Sequence, residues 1–236
     1  MSDYIESGSR HSGARVAWWV VSALAWFGVI VTNIGNIFDV YPRESGHWPG
    51  LYGHSAHGMA GAWQRFIEGM SYFTMVSNIV VAVVFTMLAL GMRKTAWHVA
   101  LVNTALLMIS VTSLVFLVAI LPFLHLRGLA LLTSPWQHMV VPIAVWIVWA
   151  MWGPRDFFGG FARGEILLRS YMIPWLWAVW MLAYGAVTHY YPYGFVNVNQ
   201  LGYASVMVSL CVVMILALFF ELLFYWIDRL LMKSGV

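Results

Sequence analysis

The chain has 236 residues, of which 62% are hydrophobic and only 9% charged, with a formal net charge of +3. Soluble domains carry about 25% charged residues, so the composition excludes an ordinary soluble domain and points to an all-α polytopic membrane protein, one domain over 1–236. There is no basic tract, nucleic-acid motif or glycine-rich phosphate loop, and the sole cysteine, Cys211, cannot form an internal disulfide, so neither nucleic acid nor a cofactor is expected as a ligand.

The first fourteen residues are polar and no small-residue cleavage site follows the first apolar run, so that run reads as a retained span rather than a signal peptide. The charge-free stretches Val16–Phe38, Gly69–Met92, Thr95–Leu126 and Gly128–Pro154 each supply one crossing, which needs about 20 residues. Ser170–Phe220 is too long for one. As a helix it would run roughly 75 Å at about 1.5 Å per residue, against a hydrocarbon core of about 30 Å. Pro192, Gly194 and Gly202 in "HYYPYGFVNVNQLG" turn it back. Six transmembrane helices are expected, near 16–37, 70–92, 97–121, 136–152, 171–190 and 203–230.

The 12 Lys and Arg residues choose an orientation. Arg10, Arg15, Arg93, Lys94, Arg155, Arg163, Arg169, Arg229 and Lys233 fall on one side of this topology; Arg43, Arg65 and Arg127 fall on the other. Positive residues stay cytoplasmic, so both termini are expected there, in a prokaryotic cell (inner) membrane. The uncharacteristic polarity then gathers in the outer leaflet. Asn33, Asn36 and Asp39 end the first helix, Thr74, Ser77 and Asn78 begin the second, His138 opens the fourth, and His189 with "YYPYGF" closes the fifth.

Each of these residues has a bland reading. Serine and threonine are common in membrane helices, where they bond the i−4 carbonyl or a neighbouring helix. Thr74 and Asn78, four apart, share a helical face. A histidine within a span usually faces the bundle interior or a wet cavity, although His138 near a helix end could be satisfied by interfacial water. A neutral imidazole can accept a threonine proton, which makes His138 a chemical partner for Thr74.

His47, His54 and His57 lie in the outer loop, and "HSAH" could place His54 and His57 on one face of a short helix, but nothing completes a metal motif. No metal is expected. His98 reads as interfacial. Glu221, an acid within the last span, is a functional candidate by position, or a partner for Arg229. Many tryptophans (Trp18, Trp19, Trp97, Trp136, Trp152 and Trp175) fall near expected helix ends, as an aromatic belt would place them. Pro142 and Pro174 fall in the first turns of the fourth and fifth helices, which gives little support to the broken mid-membrane helices of transporters.

Three stretches in order, "YFTMVSNIVV", "SPWQHMVVPIAVWIVWAMWGPR" and "YGAVTHYYPYGFVNVNQLGY", resemble the family of androgen-induced and androgen-dependent membrane hydrolases and their prokaryotic six-helix relatives. The resemblance runs diffusely through most of the chain, and the Asp39–Gly69 loop looks longer than in eukaryotic relatives. It implies a threonine hydrolase acting on fatty acid esters of hydroxy fatty acids, or on other lipid esters, with Thr74 as nucleophile and His138 as base. On that footing Asn78 is the candidate for oxyanion stabilisation, Asp39 for orienting His138, and His189, Tyr191, Tyr193 and Asn197 for lining the substrate. The partners expected are membrane lipids and a lipid ester. The rival class is a non-enzymatic protein that binds or transports a lipid or small molecule.

Overall fold

The computed structural model describes residues 2–42 and 55–234, with side chains described from residue 12 onward. Every regular element among them is helical. The helices are α1 (Ser2–Ile37), α2 (Ala62–Met70), α3 (Phe73–Ala89), α4 (Ala96–Val115), α5 (Ala130–Pro135), α6 (Val141–Trp152), α7 (Arg163–Ser170), α8 (Met172–Thr188) and α9 (Val198–Ser234). Five continuous stretches are long and apolar enough to cross a membrane: 12–37, 96–123, 130–152, 163–188 and 198–234. A sixth is obtained if α2, with the short turn before it, and α3 count as one broken span. This composition of helices is compatible with an integral membrane protein.

The second helix departs most from expectation. It is two helices bent by 72° at Ser71–Tyr72, and α3 alone has only 17 residues. The break is held from outside the segment. Trp177 donates to the Ser71 carbonyl at 2.9 Å and Trp180 donates to the Ser71 hydroxyl at 3.0 Å. Tyr72 is extended, so α3 begins afresh at Phe73. Part of the expected 39–69 loop is therefore helical. Its Arg65 is not a solvated topology charge: it is fully buried, and its guanidinium donates to the carbonyls of Asn36, Ile37, Ala56 and Gly58. Four carbonyls, two of them at the end of α1, are what a planar donor fork satisfies there.

The fourth span starts at Ala130, six residues before the expected start. Trp136 and Pro142 consequently sit inside the span rather than at its end. Trp136 donates its indole N–H to the Leu24 carbonyl on α1 at 2.9 Å, an interior contact rather than a belt position. Two π turns interrupt otherwise regular helix, Phe116–Ile120 after α4 and Trp136–Val140 between α5 and α6. In each, the closing amide reaches back five residues, Leu121 to Phe116 and Val141 to Trp136. The next residue in each case is a proline, Pro122 or Pro142. Proline has no N–H for the carbonyl four residues back, so the wider turn loses no hydrogen bond there.

The fifth span combines α7 and α8 and begins within the basic segment expected to be a loop; Glu165 and Arg169 pair at 2.6 Å along α7. Gly202 has φ +71° inside α9, where only glycine is free of strain, and regular helix runs on from Tyr203. Helix α4 is buried on nearly every side and packs against α3, α6, α7 and α9. Thr95 caps it, accepting from the His98 N–H at 3.3 Å, while the His98 ring donates to the Arg93 carbonyl.

Candidate active site

Thr74 lies in the first turn of α3, and the break at Ser71–Tyr72 puts it there. Its Oγ1 is 3.0 Å from His138 Nε2. The other ring nitrogen, Nδ1, is 2.7 Å from the Ser134 carbonyl. A carbonyl only accepts, so Nδ1 carries the ring proton and Nε2 presents its lone pair to the Thr74 hydroxyl. Thr74 therefore donates to His138. Phe116, first residue of the other π turn, stacks on the imidazole at 3.9 Å and 18°. The two π turns face each other across that ring, which holds the imidazole by a hydrogen bond at one edge and by stacking on a face.

Tyr193 completes the arrangement. Its hydroxyl is 3.3 Å from Thr74 Oγ1 and also accepts from the Thr74 N–H at 3.3 Å. With the threonine proton committed to His138, the Tyr193 hydroxyl is the donor to Oγ1. Its ring is fixed edge-on by Tyr72 at 5.3 Å and stacked on Phe195 at 5.3 Å. Burial pushes the Tyr193 phenol up to about 12, more than its bonds to Thr74 pull it back, so it stays protonated at neutral pH.

These three side chains border one cavity of about 220 Å³. Phe116, Ala119, Ile120, Phe123, Leu124, Leu126 and Met75 give it a largely apolar wall. Thr32, Asn36, Tyr41, Ser134 and Gln137 add polar atoms, and His125 and Arg127, both exposed, add titratable and charged groups. The close approach of α2 to α1 beside it depends on Gly69, where a Cβ would lie 2.3 Å from the Asn36 amide nitrogen.

The remaining expected site residues lie elsewhere or do other work. Asn78 does not reach the cavity: it is fully buried, and its amide donates to the Thr74 carbonyl at 2.8 Å and the Gln137 carbonyl at 3.4 Å. It braces the first turn of α3 against the π turn that carries His138, and it has no N–H left for an oxyanion. Ser77 is likewise spent on the Thr74 carbonyl and on Thr112. Asp39 does not orient His138. It accepts from the Gly58 N–H at 2.9 Å, meets His57 at 3.2 Å and lies 3.7 Å from Arg65 Nε. His54 and His47 lie outside the described residues, as does Arg43.

His189 is exposed at the end of α8 with φ +58°, and bonds Asn199. Tyr191 is buried against Gly185, and Asn197 accepts from the Asn199 N–H at the start of α9. Of the four residues expected to line the substrate, only Tyr193 borders this cavity. Glu221 is buried beside the Tyr171 hydroxyl, and Arg229 lies over the Tyr225 ring instead of pairing with it. The residues that sequence reasoning missed are Phe116, Ser134, Gln137, Tyr72 and Phe195. The Leu121–Pro122 and Val141–Pro142 pairs, prolines within the charge-free apolar stretches, were the available signal for the π turns.

Comparison with known proteins finds no matching family model, no matching curated protein and no matching solved structure.

Proposed function

We propose that the protein is a membrane-embedded threonine hydrolase that cleaves fatty acyl esters through a Thr74–His138 dyad. The observation that carries this reading is the 3.0 Å contact between the threonine hydroxyl and the unprotonated imidazole nitrogen, at the wall of an apolar cavity. Threonine alone is a weak nucleophile; a base with its proton-bearing nitrogen tied back, as Ser134 ties His138, activates it. Thr74 Oγ1 attacks the ester carbonyl as its proton passes to His138 Nε2. That proton then leaves with the departing alcohol. Water, deprotonated by the same nitrogen, releases the fatty acid from the acyl-threonine. The resemblance of three stretches to threonine hydrolases supports the same pair.

The charge distribution supports a topology with both termini in the cytoplasm and six crossings, with the broken α2–α3 pair as one of them. The dyad then lies in the outer leaflet, and the cell (inner) membrane of a prokaryote is the setting we propose. Reporter fusions after Met92 and at the C-terminus are expected to read cytoplasmic, and one near Gly58 external; an internal reading at Gly58 removes the outer-leaflet site.

The decisive experiment is labelling with a long-chain alkyl fluorophosphonate followed by mapping of the adduct. The expected adduct is on Thr74 and is absent in Thr74→Ala and His138→Ala. A folded Thr74→Ala variant that hydrolyses long-chain esters at the wild-type rate would overturn the hydrolase reading, and the cavity would then serve a protein that binds its lipid without chemistry.

A further inference from the structure

We propose that Tyr193 is a third catalytic residue, whose hydroxyl donates to the oxyanion that forms when Thr74 attacks the ester carbonyl. This rests on the hydrolase reading. It goes beyond it because neither member of the dyad stabilises the charge that the attack creates.

The proton inventory around Thr74 leads to this assignment. A tetrahedral intermediate needs a hydrogen-bond donor beside the attacked carbonyl, fixed in place before reaction. Asn78 has given its amide to two backbone carbonyls, and Ser77 is bonded to Thr74's carbonyl and to Thr112. The Gln137 amide nitrogen gives one of its two hydrogens to Thr32 at 2.6 Å and makes no hydrogen bond to Thr74. Tyr193 is different. Its hydrogen points at Thr74 Oγ1 itself, which is the atom that becomes bonded to the carbonyl carbon. Its oxygen meanwhile accepts from the Thr74 N–H in the first turn of α3. That amide polarises the phenol and makes it a stronger donor, since hydrogen bonds in a chain reinforce one another. The positive end of the α3 dipole acts in the same direction.

The step balances without any further reactant. The bond from Oγ1 to the carbonyl carbon forms as the Thr74 proton moves to His138 Nε2, and the carbonyl π electrons move onto the carbonyl oxygen. Tyr193 O–H, released from Oγ1 because that oxygen is now bonded to carbon, turns to the new oxyanion two bonds away and keeps its proton. When the intermediate collapses, the C–O bond to the alcohol breaks and the alcohol oxygen takes the proton from His138. Tyr193 then returns its hydrogen bond to the ester oxygen of the acyl-threonine. The same donor serves the second half-reaction. The stacked Phe195 and edge-on Tyr72 confine the ring so that only the short O–H rotation is needed.

The test uses the full-length protein in detergent with a long-chain acyl ester of 4-nitrophenol. Tyr193→Phe removes one oxygen and leaves the stacked ring. Its kcat is expected to fall about 10²–10³-fold, as loss of one oxyanion donor does elsewhere, with KM within about twofold and fluorophosphonate labelling of Thr74 slowed in parallel. A substrate with sulfur in place of the carbonyl oxygen gives a reading on the wild type alone. Sulfur is a poor acceptor, so the wild-type enzyme should strongly prefer the ester, and Tyr193→Phe should lose most of that preference. If Tyr193→Phe turns over at the wild-type kcat while Thr74→Ala is inactive, the tyrosine proposal fails and the hydrolase reading stands. If only KM rises, Tyr193 holds substrate and is not catalytic. If wild-type protein treats ester and thionoester alike, the proposal fails even if every Tyr193 variant misfolds. A folded, active Thr74→Ala overturns both.

Discussion

Around Thr74 the buried polar groups bond to one another in a chain across three separate elements, whereas in α9 each buried acid has its own isolated neighbours, Tyr171 beside Glu221 and Arg155 near Asp228. In the first region a chain runs from Tyr193 through Thr74 and His138 to the Ser134 carbonyl, and it borders a cavity. In the second, Asp228 accepts from the Phe157 N–H at 2.7 Å, pinning the loop between α6 and α7, with the Arg155 guanidinium as its charged neighbour. Glu221, two turns nearer the middle of α9 on the same face, lies buried beside the Tyr171 hydroxyl. Neither acid borders the cavity beside Thr74. An acid in a span is by default a functional candidate, and in this molecule the stronger site lies among neutral side chains. What distinguishes the two regions is whether a donor and an acceptor are matched in one direction beside an open space. Burial of charge alone does not supply that.

The largest expected effect comes from breaking the dyad. Thr74→Ala and His138→Ala should each lower ester hydrolysis by about 10³-fold or more, and the double variant should be scarcely worse than either, because nucleophile and base act as one unit. Single-turnover kinetics on the three variants measure this; additive losses would mean that the two residues work separately. Thr74→Ser keeps the hydroxyl and should retain activity.

Next comes the π turn. Pro142→Ala restores an N–H that can bond the His138 carbonyl and favours closing the wide turn into regular α-helix. That removes one residue's offset, about 100° of rotation, and carries His138 away from Thr74. Activity should fall by about 10²-fold, the loss that misplacing a catalytic group by about 1 Å brings. Thermal stability should be unchanged or higher, because a proline inside a helix costs about 3 kcal/mol. Activity lost together with stability would mean that the proline is needed for folding instead. Phe116→Leu removes the stacked face while keeping an apolar side chain. A loss of kcat of about tenfold is expected from a looser imidazole, with helical content unchanged by circular dichroism.

The smallest effect on catalysis is expected in the contrasting region. Glu221→Leu replaces a buried carboxyl whose desolvation the neighbouring Tyr171 hydroxyl offsets only in part and should raise thermal stability by about 1 kcal/mol, with hydrolysis within about twofold of wild type. A sharp loss of activity would make Glu221 part of the mechanism and erase the distinction between the two regions.

Thr74 and His138 were legible because depth is nearly linear in sequence once the spans and their directions are assigned. Counting residues from helix ends was enough to put two polar positions on different helices at one level. Counting failed where the ends themselves were misplaced. His138 lies nine positions into its span rather than three, and the two side chains meet because the π turn and the Ser71–Tyr72 break rotate and offset them. Asn78 was assigned a chemical role because it shares a face with Thr74, but the face says nothing about which backbone carbonyls compete for its amide. His189, Tyr191 and Asn197 belong to an irregular connection, where neither helical nor strand periodicity tells which side chains point inward.

Composition and the spacing of charges by themselves determined that this chain is helical and apolar in stretches of membrane-spanning length, because those properties are sums over neighbouring residues and need no partner. They also determined that the chain must turn back near Pro192–Gly202, since no helix of that length fits a bilayer. Tertiary structure alone decided the site. The break that starts α3 at Phe73 is held by Trp177 and Trp180, more than a hundred residues away. The imidazole's proton is assigned by Ser134, its face is covered by Phe116, and the donor aimed at Thr74 comes from Tyr193. Hydrogen-bond direction is a property of pairs of atoms within about 3 Å, and which atoms come that close is settled only when the helices pack.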